Sequence, residues 1–463
     1  MKERRSRGLA VATLFIAAAC SGTAATPVPA TPAPGTPTAA AATTAAATAA
    51  ATTAATSATP AATTASAAPT SAAPSDAPSA SPSEAATGSP SSAPSATTGT
   101  IPIPSGAPSE LGAAEGQVNV VAWAGYVEKG ETDPTVDWIT DFETSSGCTV
   151  NVKLGNTSDE MVTLMRTGEY DVVSASGDAS NRLIDGGDVA AVNLNLIPNY
   201  ADVFEGLKNQ PHNSVNGVPY GVPHGRGANL LLYSKDAFPT APDSWSVVWD
   251  PNSPHKGKIT AYDAPIYIAD AAVYLMATRP ELGSKNPYAL DDTQFAAAVD
   301  LLKQQRQIIG KYWSLYTAEI EDFKSGDSVA GTTWQVIYNV LTSGDDPANV
   351  GVTLPKEGST GWSDTWMISS KAKNPNCAYM FMNHIISPEA NAKATEYFGE
   401  APSNSKACAL ASPGHCETYH ATDEEYFSKI WYWSTPSKEC LDGRGPICKD
   451  FSEWTNAWTE IKG

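Results

Sequence analysis

Val118-Asn-Val-Val-Ala-Trp123, Thr149-Val-Asn-Val-Lys153, Thr157-Ser-Asp-Glu160 and Tyr170-Asp-Val-Val-Ser-Ala-Ser-Gly-Asp178, taken in order, decide the fold. The first run is rich in valine and predicts a short strand buried on both faces. After a loop, Val136, Ile139 and Phe142 recur at helical spacing, predicting a helix over 135–142 that Gly147 stops. Thr149 to Lys153 alternates as a strand does. Thr157 and Glu160 then form the three-residue spacing of a capping box, opening a helix with Met161, Leu164 and Met165 on one face. Gly168 ends it, and Tyr170 to Val173 predicts a third strand running through Ser176 and Asp178 into another helix. Strand and helix alternate with short connections, the pattern of a mostly parallel sheet. Ligands of open α/β sheets bind beyond the carboxyl ends of strands, so Trp123, Tyr126, Ser176 and Asp178 are candidate contacts.

Further along, Tyr220-Gly-Val-Pro-His-Gly-Arg-Gly-Ala-Asn229 precedes the apolar run Leu230 to Tyr233. Its glycines suit a crossing segment or hinge. Trp245, Trp249, a strand over 258–260, a helix carrying Phe295, Val299 and Leu302, and the segment from Ala330 to Trp334 read as a second lobe. Val350 to Leu354, Pro355-Lys-Glu-Gly358 and Gly361-Trp-Ser-Asp364 lead back toward the first. The region from about Gly116 to Gly463 is long enough for two ordinary domains.

Upstream the composition changes. Lys2, Arg4, Arg5 and Arg7 precede a short apolar run from Leu9 to Ala19, then Cys20. Spanning a bilayer takes about 20 apolar residues, so this run reads as a signal peptide over 1–19. Ala-Ala-Ala before Cys20 resembles a bacterial lipobox, although Ala17 stands where that pattern prefers Leu, and predicts lipidation of Cys20. From 20 to 115 the chain is almost wholly Ala, Thr, Pro and Ser. It has too few bulky apolar side chains to offset the entropy of ordering, which predicts a disordered tether.

The formal net charge is −20, and removing the first 19 residues, with four basic side chains and Glu3, leaves −23. That charge argues against a nucleic-acid partner. Beyond Cys20 there are six cysteines, an even set that predicts disulfides outside the cell. Cys408 with Cys416 and Cys440 with Cys448 are close in sequence, which leaves Cys148 for Cys377. Zinc at the short spacings, helped by His415 and His420, is the lesser reading, because structural sites space their cysteines by two to four residues. No metal or cofactor is expected.

The order of these motifs resembles the spermidine/putrescine-binding proteins of ABC importers, over about Gln117 to Ala407. Trp123-Ala-Gly-Tyr126, Tyr170-Asp-Val-Val with Ser176, Tyr220-Gly-Val-Pro, Ser244-Trp245, Trp249, Lys256-Gly257, Asp263, Trp334, Pro355-Lys-Glu-Gly and Trp362-Ser-Asp364 carry it. The resemblance implies an α/β fold of the two-lobed periplasmic binding protein type II, or flytrap, in which each lobe is a sheet flanked by helices and a hinge joins them. One lobe is expected over 116–228 with 360–405, the other over 229–359 with 406–463. It implies a monomer that captures a polyamine or related small amine by lobe closure and delivers it to an ABC permease, from an extracytoplasmic, lipid-anchored position.

By the same resemblance Trp123, Tyr126 and Trp334 belong to an aromatic wall, Ser176 to a polar loop and Asp263 to the acids that hold ammonium groups, with Tyr267, Trp362 and Asp364 as further candidate ligand contacts. Cation–π contacts and charge-assisted hydrogen bonds make that sensible chemistry. Other family acids are absent: Gly125, Tyr267 and Val336 stand in their places. Asp178 stands where the family often has an aromatic ring, and Arg226 where it often has Trp. Arg226 near Asp178, Asp263 or Asp364 would suit a zwitterion such as an amino acid or γ-amino acid; the alternative for Arg226 is an internal ion pair fastening the hinge. Trp431, Tyr432, Trp433, Phe451, Trp454 and Trp458 read as packing.

An enzyme is not expected, since the sequence has no Walker loop, no Gly-x-Ser-x-Gly and no His-Glu-x-x-His. A surface lipoprotein that binds glycans or adheres is the rival of another class. It predicts a flat aromatic face, whereas the importer reading predicts an enclosed cleft holding Trp123, Asp178, Asp263 and Trp334.

Overall fold

The computed structural model describes residues 101–131, 134–343 and 346–463. The expected signal peptide over 1–19, Cys20 and the tether up to residue 100 lie outside the described residues. Residues 101–115, expected to belong to the tether, instead lie on the folded unit. Ile101 and Leu111 pack on its core, and Asn193 Nδ2 donates to the Pro108 carbonyl at 2.8 Å. Glu115 accepts the backbone N–H groups of Asn376 and Cys377 at 3.0 and 2.8 Å, satisfying donors that a helix N-terminus leaves free. Two apolar anchors and one carboxylate therefore move the start of the fold to about Ile101.

In chain order the first three strands are β1 (Gln117–Ala122), β2 (Thr149–Leu154) and β3 (Val172–Ala175). They alternate with α1 (Thr140–Ser146), α2 (Ser158–Arg166) and α3 (Gly177–Asp185). The helix expected over 135–142 starts later, because the Asp137 carboxylate takes the N–H groups of Ile139 and Thr140 at 2.9 Å each and turns the chain first. Thr157 caps α2 as expected, accepting from the Glu160 N–H. The reciprocal arm goes one residue upstream, where Glu160 accepts from the Asn156 N–H.

Then follow β4 (Gly221–Pro223), β5 (Gly225–Ser234), β6 (Ile259–Tyr262), α4 (Ile268–Thr278), α5 (Asp292–Gln305) and β7 (Ile309–Trp313). After α6 (Tyr316–Ser325) come β8 (Ala330–Trp334), α7 (Gln335–Thr342), β9 (Val350–Thr353), β10 (Ser359–Trp362) and β11 (Thr365–Ile368). The chain ends with α8 (Pro375–Ile385), α9 (Pro388–Phe398), β12 (Ala401–Pro402), β13 (Ile430–Tyr432) and α10 (Phe451–Lys462).

Two sheets result. The first has the order β2-β1-β3-β11-β4; the second runs β13-β10-β5-β8-β6-β7, with β9 and β12 also on β5. Both are mixed rather than mostly parallel. Parallel pairing holds among β1, β2 and β3, and among β6, β7 and β8. Antiparallel pairing enters with the strands that change sheets: β11 on β3 and β4, and β10 on β5. The chain passes from the first sheet to the second at His224, ahead of the expected change at 228, and returns at Ser363-Asp364, with β10 still in the second sheet. The two crossings touch, the His224 N–H donating to the Asp364 carbonyl at 2.7 Å.

Each sheet has its own core. Val118, Val120, Phe142, Trp366 and Phe381 lie in that of lobe 1, where Cys148 is bonded to Cys377. Leu231, Trp245, Trp249 and Ile259 lie in that of lobe 2, joined by Trp454 and Trp458 of α10. Those last two rings pack, as their one-turn spacing suggests. Cys408 is bonded to Cys416 and Cys440 to Cys448, which removes the thiolates a zinc site would use.

Candidate binding cleft

The cleft begins where the crossings meet. Ser176 precedes α3, but its hydroxyl, instead of capping the helix, donates to Asp364 Oδ1 at 2.6 Å. The Tyr126 hydroxyl donates to Asp364 Oδ2 at 2.8 Å and reaches Glu400 Oε2 at 3.5 Å. Tyr126 is turned inward by a bend in which its N–H meets the Trp123 carbonyl and Gly125 takes φ 89°. A left-handed φ suits glycine, a local reason why no acid stands at that position. Asp178 sits in the first turn of α3, where the helix dipole favours a carboxylate, and accepts from Ser158 Oγ at 2.9 Å.

Asp178 and Asp364 are buried, and burial pushes both carboxyls up to about 6. The Ser158 hydroxyl and the Arg182 charge partly offset this for Asp178, as the Ser176 and Tyr126 hydroxyls do for Asp364. Glu400, entering on a third crossing between α9 and β12, is raised well above the usual range by burial and by Asp364. His224 lies 3.4 Å from it but is held neutral, its pKa lowered to about 3 by burial. Among the described residues no lysine or arginine forms a salt bridge with Asp178 or Asp364.

Facing these acids is an aromatic wall from lobe 2. Tyr262, at the carboxyl end of β6, lies 5.6 Å from Trp334 between ring centroids, and Trp334 lies 5.9 Å from Trp362. The Tyr262 hydroxyl is pushed up by burial and then by the charges of Asp178, Asp263, Asp159 and Asp364, so all four acids bear on one ring. Trp362 also donates its indole N–H toward Glu400 at 3.4 Å. Trp123 is half-buried against the lobe 1 core, its indole N–H making no close hydrogen bond but directed at Asp364, whose carboxyl it lowers after the Ser176 and Tyr126 hydroxyls do.

Three expected contacts stand elsewhere or are already engaged. Arg226 is 1% exposed and faces none of the acids expected beside it. It donates to Glu424 Oε1 at 2.7 Å and to the Ala421 carbonyl at 2.9 Å, with Phe427 stacked 3.7 Å from the guanidinium. Tyr267 lies in the lobe 2 core, accepting from Gln305 Nε2 at 3.1 Å, because the turn before α4 points it inward. Asp263, the residue after Tyr262, is engaged by the C-terminal helix, accepting Trp458 Nε1 at 3.0 Å and Lys462 Nζ at 2.6 Å.

Tyr262, Glu400 and the segment after β13 complete the site without having been expected there. Tyr262 is the residue before Asp263 at a strand's carboxyl end, a legible position. Trp433 stacks on it at 5.7 Å with 12° between the planes, and Thr435 Oγ1 donates to the Asp178 carbonyl at 2.8 Å.

Two sheets joined by paired crossings, with buried acids and rings between them, match a known family over more than half the chain. The family of bacterial extracellular solute-binding proteins matches residues 137–415. This chain belongs to that family. It is 24% identical over 319 residues to the putrescine-binding periplasmic protein PotF of Escherichia coli (strain K12), covering 65% of this chain and 82% of that protein. It is 25% identical over 296 residues to the spermidine/putrescine-binding periplasmic protein of the same organism, covering 63% and 78%. Among solved structures, a spermidine/putrescine ABC transporter substrate-binding protein from Streptococcus pneumoniae superposes with a TM-score of 0.59 at 19% identity, over 74% of this chain and 97% of that one. The fold is therefore the two-lobed one, and the family binds solutes rather than converting them. The glycan-adhesion rival loses its support, for none of the twelve tryptophans is exposed and no flat aromatic face exists among the described residues.

Proposed function

We propose that this solute-binding protein captures a small cationic amine, a polyamine or a related compound, and delivers it to an ABC permease. One observation carries the reading: Asp178 and Asp364 are buried beside an aromatic wall, bonded to hydroxyls and paired with no cation. A buried carboxylate without a counter-charge has lost its hydration and gained little in return. An ammonium group supplies that charge, and Tyr262 and Trp334 offer ring faces to its methylenes and cationic end. Such a ligand favours the closed lobes because it contacts both, as any ligand that shifts this equilibrium must.

The zwitterion alternative rested on Arg226, whose two terminal nitrogens donate to Glu424, the Tyr432 hydroxyl and the Ala421 carbonyl, leaving only the buried Nε without a partner. The cleft thus offers no free guanidinium for a solute carboxylate. The lipid anchor at Cys20 and the tether belong to the same reading, holding a monomeric receptor near its permease. A thermal-shift panel of putrescine, spermidine, γ-aminobutyrate and a neutral sugar tests it. A true ligand at 100 times its Kd stabilises by about 2.7 kcal/mol. Amines are expected to raise Tm and the sugar is not; a panel in which no amine does so defeats the reading.

A further inference from the structure

The chain passes between the lobes at His224, at Ser363-Asp364 and at Glu400, and the lobes touch again through the C-terminal segment. That segment is anchored in lobe 2. β13 pairs in parallel with β10, the Trp433 N–H donates to the Gly361 carbonyl at 2.8 Å, and the Trp433 ring stacks on Tyr262. The loop that follows is closed by the Cys440–Cys448 disulfide and held to the start of α5 by Arg444, which donates to Asp291 at 2.8 Å. Trp454 and Trp458 of α10 then enter the lobe 2 core.

The same segment also grips α3, whose Ala179 and Leu183 are packed in lobe 1. The Thr435 hydroxyl is shared between the Asp178 and Gly177 carbonyls, at 2.8 and 3.3 Å. The Trp433 carbonyl lies so close to Gly177 that a Cβ there would stand 1.6 Å from its oxygen, an approach open to glycine alone. Five residues along α3, the Arg182 guanidinium stands 4.4 Å over the Phe451 ring at the start of α10. Gly177 follows Ser176, which is bonded to Asp364 at a crossing, whereas Arg182 lies about 7.5 Å further along the helix. A hydroxyl, a close backbone approach and a cation–π contact thus tie one helix of lobe 1 to two places on lobe 2.

We propose that the segment from Trp433 to Phe451 is a clasp that holds the lobes together before a solute arrives, so that the cleft opens for uptake by breaking contacts in which no solute takes part. Each contact is made by the chain's own groups and is available to the closed protein with or without solute. The clasp closes on the turn that carries Asp178. A protein held closed in this way offers its open, receiving form for only a fraction of the time, which slows solute association by that fraction. Weakening the clasp then acts on the free and the bound closed forms alike, so association and dissociation both accelerate while Kd holds. A contact that served only the bound form would give faster release, unchanged association and a weaker Kd.

The distance between nitroxide labels at the exposed positions Lys153→Cys in lobe 1 and Lys324→Cys in lobe 2, in a Cys20→Ser background, tests the clasp without any ligand. The clasped protein is expected to give one distance that putrescine does not shorten. Gly177→Ala, whose methyl meets the Trp433 carbonyl, is expected to add a longer one; Gly177 has no left-handed φ, so alanine fits the local helix. Thr435→Val with Phe451→Leu removes contacts from the lobe 2 side and is expected to add the same longer distance. Stopped-flow binding of putrescine to that double variant is expected to show association and dissociation each about tenfold faster, with Kd within about twofold of wild type. Thr435→Ser, which keeps the hydroxyl, is expected to behave as wild type. A wild-type distance that putrescine shortens, variants that leave the distances unchanged, or faster release with unchanged association overturns the clasp. If putrescine fails to bind, only the amine reading suffers, and the ligand-free distances of wild type and variants still decide the clasp.

Discussion

Arg226 and Asp364 are both buried charges at the junction of the lobes, yet they are built differently. Arg226 has its counter-charge in Glu424, a carbonyl at Ala421, the Tyr432 hydroxyl at 3.3 Å and an aromatic ring over its plane. Asp364 has two hydroxyl donors and no cation. The first arrangement finds its counter-charge within the chain, only the Nε donor being left over, so it fastens the scaffold. The second leaves electrostatic free energy to be gained when a cation arrives, which marks a binding site. Burial alone does not separate scaffold from site; the presence of an internal counter-charge does.

The sharpest way to break this comparison is to exchange the expected consequences. Arg226→Met is expected to cost about 3 kcal/mol of stability, at the lower end for a broken buried pair because Glu424 is half exposed and can rehydrate. Amine affinity should stay within about twofold of wild type. Denaturant unfolding with calorimetric titration checks both, and a large loss of affinity would return Arg226 to the ligand site. Asp364→Asn is expected to act the other way, lowering amine affinity about a hundredfold through the lost charge-assisted contact. The ligand-free variant should be no less stable than wild type, because a neutral amide carries a smaller burial penalty. An Asp364→Asn protein destabilised as much as the Arg226 variant would remove the distinction.

The sequence made the scaffold more legible than the site, and for a physical reason. Strand and helix alternation, Gly147, the Thr157 cap and the cysteine spacings are local signals, and each has its counterpart in the fold. The antiparallel strands β4, β10 and β11 went unread because their direction is set by the lobe crossings, over separations that no local pattern reports. Trp123, Tyr126, Ser176, Asp178 and Asp364 followed from strand ends and motif order, and of these Tyr126 and Ser176 meet at Asp364. What could not be read was the pairing of charges at long range. Nothing near Arg226 announces Glu424, and nothing near Asp263 announces Lys462, nearly 200 residues away. Trp433 read as packing, and it is buried, yet its surface is the cleft.

Proton binding gives the smallest expected effect and the finest test of the difference between the two charges. Asp178 and Asp364, at about 6 in the folded protein, stand above the usual carboxylate value of about 3.9. The folded state therefore holds more protons than the unfolded state between these values, and these two groups make the ligand-free protein more stable as pH falls from 7 toward 4. Binding runs the opposite way, because an ammonium needs the ionised form. Around the pair, Arg182 favours ionisation of Asp178 while Asp159 and Asp364 oppose it, Glu400 is itself raised by burial and by Asp364, and His224 is held neutral by burial. Amine affinity is thus expected to be flat above about pH 7 and to fall by up to about tenfold per coupled carboxylate for each unit below 6. Thermal unfolding with and without amine, from pH 7.5 to 5, should show the ligand-induced shift shrinking while the ligand-free Tm rises or holds. Arg226 pairs with Glu424 and touches neither acid, so the Arg226→Met protein should keep the same pH profile of binding, whereas Asp364→Asn should flatten it. A profile that Arg226→Met flattens and Asp364→Asn leaves unchanged would assign the binding charge to the wrong residue.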